Sequence, residues 1–136
     1  MRIPLTSVLA GFCLGSTVMF GGAGAYAQQQ PAIALKSGES AELQPVYWVI
    51  NCASIVIGNP EVEILEGPAE LTLEIKEGMV LPRRQNCAKE VPGGTLVATA
   101  KDVKESSQAR LTYRIKFKTK AGDRQESHVY SVSLFP

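Results

Sequence analysis

The side chains best able to do covalent chemistry in this chain are its three cysteines, Cys13, Cys52 and Cys87. Cys13 falls within an apolar N-terminal stretch, which leaves Cys52 and Cys87 as the pair available to the folded body. Neither belongs to a Cys-x-x-Cys sequence at the start of a helix, where a reactive thiolate would be stabilised. We therefore predict one structural disulfide, which stabilises the fold by roughly 4 kcal/mol for a loop of about 35 residues.

Hydrolytic chemistry would have to use His128, the only histidine in the sequence. A hydrolytic triad needs a serine on a sharp turn and a carboxylate that orients the histidine, and neither Ser127 nor Ser131 has that setting. We expect His128 to be a partly buried, hydrogen-bonded strand residue, and we predict no catalytic residue. An enzymatic hypothesis, based on His128 or a pair of glutamates, predicts a pocket around a titratable group with a shifted pKa.

Metal and phosphate sites lack their usual residue patterns. Soft or borderline metals need several His, Cys or Met ligands, and beyond the two paired cysteines the folded body offers His128 and Met79. The six glutamates of residues 61–77 lack the alternating Asp or Asn ligands and the glycine of a calcium loop. Residues 91–94, VPGG, lack the lysine and helix of a phosphate loop and are interpreted as a turn. We predict neither a metal nor a cofactor.

Residues 78–87, GMVLPRRQNC, combine the residue types of a protein-contact surface. Apolar side chains supply contact area, adjacent arginines bind carboxylates, and a proline and a bonded cysteine order the segment before a partner arrives. The residues predicted to contact a partner are Met79, Leu81, Arg83, Arg84 and Gln85. The alternative is that residues 79–81 form a short core strand and the arginines balance nearby glutamates.

The first 27 residues predict export. Arg2 is the only charge before Lys36, residues 8–20 form an apolar h-region, and Ala-Tyr-Ala at 25–27 is a signal-peptidase pattern. We expect cleavage before Gln28, which leaves residues 28–136 as one domain in the periplasm or outside the cell, where disulfides persist.

Two other fates of the N-terminus are less consistent with its residues. A membrane anchor needs about 20 apolar residues, and five glycines dilute this stretch. Lipidation at Cys13 would require a small residue before it and a complete h-region, but Phe12 precedes it midway through the apolar run.

Charge is balanced overall and segregated locally. Without Arg2 the 14 basic residues become 13, which equals the 13 acidic residues, so no net field attracts nucleic acid or an anionic membrane. Residues 61–77 hold six glutamates and one lysine, a net charge of −5, whereas residues 101–124 hold eight basic and three acidic residues, a net charge of +5. We expect these segments to be solvated faces, paired if they lie on adjacent strands.

Alternation of apolar and polar residues predicts antiparallel strands through most of the mature chain. The clearest is 111–118, which a turn at 120–123 joins to 126–134 in a C-terminal hairpin. The unbroken apolar run 46–50 favours a central strand that begins after Pro45. Further strands are expected at 62–65, 71–76 and 94–100, and residues 33–35 and 41–43 are expected to form an edge strand or its flanks.

About seven short strands, with one exposed helical turn expected in residues 101–109, predict an all-β fold of two packed sheets. Trp48 and the two cysteines give a class-level resemblance to small exported bacterial immunoglobulin-like β-sandwiches, although Trp48 precedes Cys52 here instead of lying between the cysteines. The disulfide is therefore expected to tie the end of the Trp48 strand to the loop before Gly94. The resemblance implies a shape and no ligand.

These observations favour a non-enzymatic, exported protein-binding module. The alternative is an inhibitor of a secreted hydrolase, such as a protease or lysozyme, whose active-site cleft the 78–87 segment enters. The final strand, residues 130–135, offers a route to self-assembly, but the lysines of its hairpin partner oppose it, and we expect a monomer.

Overall fold

The computed structural model describes residues 30–83 and 86–136, and it is an all-β fold of several sheets. β structure accounts for 67% of these residues, and none of them is helical. The strands are β1 (Ala32–Lys36), β2 (Ser40–Val46), β3 (Val49–Ile50), β4 (Ala53–Ser54), β5 (Glu61–Glu66), β6 (Leu71–Val80), β7 (Val91–Ala100), β8 (Ser107–Thr119) and β9 (Gly122–Phe135). The predicted signal peptide and two predicted contact residues, Arg84 and Gln85, lie outside the described residues.

The predicted C-terminal hairpin is confirmed. β8 and β9 pair antiparallel along their whole length. Inward-facing residues of β8 are almost fully buried, as the alternation predicts, and these are Leu111, Tyr113, Ile115 and Phe117. The turn uses Gly122 with φ of 105°, in the left-handed region that glycine adopts without a steric penalty.

The strands form two larger sheets and one small hairpin. The four-stranded sheet has the order β1-β9-β8-β5, with β1 parallel to β9, the three-stranded sheet has the order β2-β7-β6, and β3 pairs with β4. The two larger sheets contribute to one hydrophobic cluster, called the main core below. Its fully buried residues include Val46, Leu96, Ala98, Leu111, Ile115, Phe117 and Leu134.

The prediction of one central strand over residues 46–50 is wrong. β2 ends at Val46 and the short β3 begins at Val49, so Tyr47 and Trp48 lie between strands. Trp48 is half-buried and meets the ring of Phe117 edge-on, with 5.3 Å between ring centroids. Pro45 lies inside β2, an edge strand, where its missing N–H need not cost a ladder bond.

The interpretation of Gly93 and Gly94 as a turn is also wrong, because both lie inside β7. A Cβ atom on Gly93 would lie 2.3 Å from the carbonyl oxygen of Val46, and one on Gly94 would lie 2.7 Å from that of Lys76. The two glycines therefore allow close approach of the neighbouring strands β2 and β6, a requirement that local sequence does not reveal.

The helical turn expected in residues 101–109 does not form. Residues 101–106 adopt neither helix nor strand, and β8 already begins at Ser107. Val103 is buried against the main core, and its backbone N–H donates to Ser37 Oγ at 3.2 Å. The packing of Val103 against the main core thus holds residues 101–106 in a non-helical conformation.

The acidic and basic segments meet in part, as expected for adjacent strands. β5 pairs antiparallel with β8, and a Glu63 carboxylate oxygen lies 3.5 Å from both Arg114 Nη1 and Lys116 Nζ. These side chains are largely solvent-exposed, so each pair stabilises the fold by only about 0.2–1 kcal/mol. Glu74 and Glu77 belong to β6, in the other sheet.

Candidate functional site

A second, smaller hydrophobic cluster lies outside the main core. Its buried residues are Val49, Val80 and Val91, with Tyr47 packed against them. It joins the β3–β4 hairpin to the end of the β6–β7 pair. We call this region, residues 47–54, 78–83 and 86–93, the disulfide-tied end.

The predicted disulfide is confirmed. Cys52 and Cys87 are bonded, with 5.4 Å between their Cα atoms. Cys52 lies in the two-residue turn between β3 and β4, where Asn51 and Cys52 have φ of 53° and 62°, the sign that type I′ hairpin turns require. Cys87 lies before β7, so the bond ties a hairpin turn to the β6–β7 connection, away from the main core, as expected.

The predicted contact segment is largely exposed where the structure describes it. Met79 is 57% exposed and Leu81 is 49% exposed, whereas Val80 and Pro82 are buried. The alternative, that residues 79–81 form a short core strand, is therefore correct for the buried Val80 and wrong for the exposed Met79 and Leu81. Buried and exposed residues alternate, which anchors the segment while it presents every second side chain.

Arg83 is held through its backbone and leaves its side chain exposed. Its N–H donates to the Tyr47 hydroxyl at 2.9 Å. No ion pair among the described residues involves Arg83, so its guanidinium is not in direct contact with a glutamate carboxylate there.

Two grooves meet at Arg83 and share Gln44 and Pro45. The first, called the aromatic groove, has a volume of about 370 Å³ and is also lined by Tyr47, Trp48, Val49 and Glu126. The second, called the methionine groove, has a volume of about 420 Å³ and is also lined by Glu42, Leu43, Met79, Val80, Leu81, Glu90 and Thr95. The structure thus brings Met79, Leu81 and Arg83 together around one concave surface.

Two tyrosine hydroxyls of the four-stranded sheet hold β2, whose residues line both grooves, in place. Tyr113 donates to Gln44 Oε1 at 2.5 Å, and Tyr130 donates to the carbonyl oxygen of Leu43 at 3.0 Å. Both bonds run from the four-stranded sheet to β2. Burial, with smaller contributions from Tyr130 and Glu126, raises the pKa of Tyr113 well above its usual range, so its hydroxyl keeps its proton.

His128 does not line the aromatic groove. Its ring centroid is 5.5 Å from that of Tyr113, and its Nε2 is 3.4 Å from Glu126 Oε1. Partial burial is confirmed, but the geometry to Glu126 is not that of a hydrogen bond, and Nε2 is buried without a partner. The expected hydrogen bond of the side chain is therefore not formed at Nε2.

A third groove, called the hairpin groove, has a volume of about 700 Å³. It is lined by Ile57, Gly58, Asn59, Glu61, Lys116, Phe117, Lys118, Asp123, Arg124 and Gln125. The sequence predicts none of these residues as a contact residue. The mixture of opposite charges and amides gives it no preference for one ligand charge.

Sequence reasoning missed the aromatic half of the site. Tyr47 and Trp48 stand in an apolar run that predicts a buried strand, whereas both side chains are half-buried and line the aromatic groove. Their only sequence signal is that Tyr and Trp carry polar atoms, which favours positions where one end of the side chain reaches solvent.

Within residues 30–83 and 86–136, no three His, Cys, Asp or Glu side chains are arranged to hold a metal ion. The same part of the chain contains no helix with the length and apolar character needed to cross a membrane. Comparison of the chain with protein-family models, curated proteins and solved structures found no match.

Proposed function

We propose that this chain is an exported, non-enzymatic protein-binding module, an immunoglobulin-like β-sandwich that binds another protein of the cell envelope or extracellular space. The contact surface comprises Met79, Leu81 and Arg83, extended by Arg84 and Gln85. The single observation that carries the proposal is the exposure of two large apolar side chains beside Arg83, which forms no ion pair with a described residue, next to the buried Pro82.

The chemistry of the segment suits a protein partner. Exposed apolar side chains give binding free energy when a partner removes them from water, and arginine pairs bidentately with carboxylates. Arginine is also enriched among the residues that dominate protein interfaces. An ordered segment loses less conformational entropy on binding than a flexible one. The preferred partner surface is therefore apolar, with a carboxylate that meets Arg83 and lies away from Glu42, Glu90 and Glu126 of the two grooves.

Export is supported by two independent features. The first 27 residues have the pattern of a cleaved signal peptide, and the Cys52–Cys87 bond indicates folding in an oxidising compartment. We place the mature chain, residues 28–136, in the periplasm or outside the cell.

Affinity capture tests the proposal. The chain is expressed with its own leader, purified from the exported fraction, immobilised and exposed to native envelope and extracellular fractions. A Leu81→Ser/Arg83→Ala variant is compared with an Ile57→Ser/Arg124→Ala control, which makes the same two chemical changes in the hairpin groove; Ile57 is 53% exposed, close to Leu81 at 49%.

We expect a protein that the wild type and the control retain at equal levels and that the Leu81→Ser/Arg83→Ala variant retains at least about tenfold less. All three proteins should unfold at similar temperatures, because the changed residues are exposed. Equal retention by the segment variant and the control would overturn the proposed contact surface.

A second candidate function is inhibition of a secreted hydrolase. The observation that favours it is the double anchoring of the exposed residues, by the Arg83–Tyr47 hydrogen bond and the Cys87 disulfide, which suits a rigid segment entering an active-site cleft. The purified protein is tested against a panel of secreted proteases and lysozymes. Inhibition that the Leu81→Ser/Arg83→Ala variant loses supports this candidate, and no inhibition at micromolar concentration removes it.

A further inference from the structure

Four strands form the edges of the two larger sheets, namely β1, β5, β2 and β6. An edge strand directs alternate N–H and C=O groups away from its neighbour, and these groups can pair with another chain. Short length, bulges, prolines and charges are the usual protections against such pairing. The four edges differ in how many of these protections they have.

Three of the edges are interrupted or short. β1 has only five residues. In β5 the register shifts between Ile64 and Glu66, and in β2 it shifts between Glu42 and Gln44. β2 also contains Pro45, which has no N–H to offer.

β6 is the exception. It pairs with β7 over ten residues, from Leu71 to Val80, without a register shift, and contains no proline, so its protection consists of the charges of Glu74, Lys76 and Glu77. Among the described residues no strand pairs with its other side. Residues 131–134 of the final strand β9, for which the sequence suggested self-assembly, lie between β1 and β8, whereas residues 122–130 pair only with β8. Among the four edge strands, β6 is therefore the best template for edge-to-edge assembly.

The side chains of β6 are self-complementary in one antiparallel register. Leu73 and Ile75 pack against the main core, while Glu74 and Lys76 are exposed. When two identical strands pair about a two-fold axis at Ile75, each Glu74 faces Lys76 of the second copy, giving two opposite-charge pairs on one face. Centring the axis on Glu74 or on Lys76 would instead place like charges opposite each other.

We propose that two copies of this chain associate through β6, antiparallel and with Ile75 at the two-fold axis. The two three-stranded sheets then become one continuous six-stranded sheet. Each Met79 comes to lie opposite Leu71 of the second copy, at the end of the paired segment. Association through one self-complementary patch is the common arrangement of homodimers, and it replaces the monomer expected from the sequence.

The dimer goes beyond the proposed binding function and does not depend on it. Leu81 and Arg83 follow the end of β6, so strand pairing leaves them free in both copies. At about 3.3 Å per strand residue, the two Val80 positions, where the contact residues begin, lie roughly 33 Å apart along the paired strands. The assembly therefore presents Leu81 and Arg83 twice, while Met79 lies at the end of the paired strand.

Charge exchange on β6 tests the dimer by light scattering and sedimentation over a wide concentration range. Glu74→Lys alone and Lys76→Glu alone each place two like-charge pairs across the axis, and each should weaken dimerisation at least about tenfold. The double variant Glu74→Lys/Lys76→Glu restores opposite charges and should restore dimerisation.

The matched control is Glu42→Lys, because Glu42 and Glu74 both lie opposite Val97, on the two sides of β7, and Glu42 belongs to the interrupted edge. It should leave dimerisation unchanged. Thermal unfolding checks that every variant is folded. A wild-type protein that is monomeric at all concentrations, or a folded double variant that stays as weak as the single variants, would overturn the proposal.

Discussion

The main core and the disulfide-tied end are stabilised by different means. The main core buries residues from both larger sheets, including the large side chains Tyr113 and Phe117, whereas the second cluster has only three buried valines. Apolar burial contributes about 25 cal/mol per Å², so the second cluster gains little from it. There a covalent bond, a backbone hydrogen bond to Tyr47 and the close packing of Gly93 replace a large core.

This difference explains why the candidate site lies at the disulfide-tied end. A region held by a disulfide needs less apolar burial, and Met79 and Leu81 are exposed there; Ile64, Leu65 and Phe135 are also exposed, on the four-stranded sheet. In the proposed function, the main core serves as the rigid support and the disulfide-tied end presents the proposed contact surface.

The largest effect is expected from a change in the main core. Phe117→Ala should lower the free energy of unfolding by about 3–5 kcal/mol, because it leaves a cavity and removes the ring that Trp48 contacts. Val80→Ala in the second cluster should cost only about 1–2 kcal/mol. Urea denaturation measures both, and an equal loss would show that the two regions do not differ as we describe.

Removal of the disulfide should have the next largest effect. Cys52→Ser/Cys87→Ser is expected to lose about 2–4 kcal/mol of unfolding free energy. In native-state hydrogen exchange, the β3–β4 hairpin and residues 86–91 should exchange faster while β8 stays protected, because local opening follows local loss of constraint. Equal acceleration in β8 would mean that the bond supports the whole fold.

Gly93→Ala should have an intermediate effect. Its Cβ would lie within 2.3 Å of the Val46 carbonyl oxygen, so β2 or β7 must shift, at a cost of about 1–3 kcal/mol. Gly78→Ala is the control, because a Cβ there meets no atom within 4 Å. Thermal unfolding that is equally affected by the two changes would argue against close strand approach as the reason for Gly93.

The smallest effect is expected from Tyr113. Tyr113→Phe removes the hydrogen bond to Gln44, at a cost of about 1 kcal/mol at neutral pH. Because burial raises the pKa of folded Tyr113, the unfolded state releases this proton first once the pH exceeds about 10. The free energy of unfolding should then fall by about 1.4 kcal/mol per pH unit, and Tyr113→Phe should remove that part of the slope. An unchanged alkaline slope in Tyr113→Phe would contradict the assignment.

The fold was predictable where strand pairing is local. The alternation in residues 111–118 identified β8, and the following turn identified its hairpin with β9. Non-local contacts were not predictable. Gly93 and Gly94 are required by the close approach of β2 and β6, and Trp48 lies outside a strand, with its ring edge-on to that of Phe117. Parallel pairing of β1 with β9 likewise has no local signal.

The candidate site was predictable in its residue types and only partly in its surroundings. The apolar residues and arginine of the 78–87 segment are recognisable in sequence, and so is the tether at Cys87. The grooves beside Arg83 are not, because Gln44 and Glu126 reach them from distant strands. Composition shows which side chains can bind, whereas the shared surface depends on sheet packing.

The central claim is that the disulfide orders the contact segment before a partner binds. The most direct test measures affinity for a captured partner with the wild type and with Cys52→Ser/Cys87→Ser, at a temperature where hydrogen exchange shows β8 still protected. We predict at least about a tenfold loss of affinity in the variant, because binding must then order the segment. Equal affinity, with the β3–β4 hairpin and residues 86–91 exchanging freely, would contradict the account.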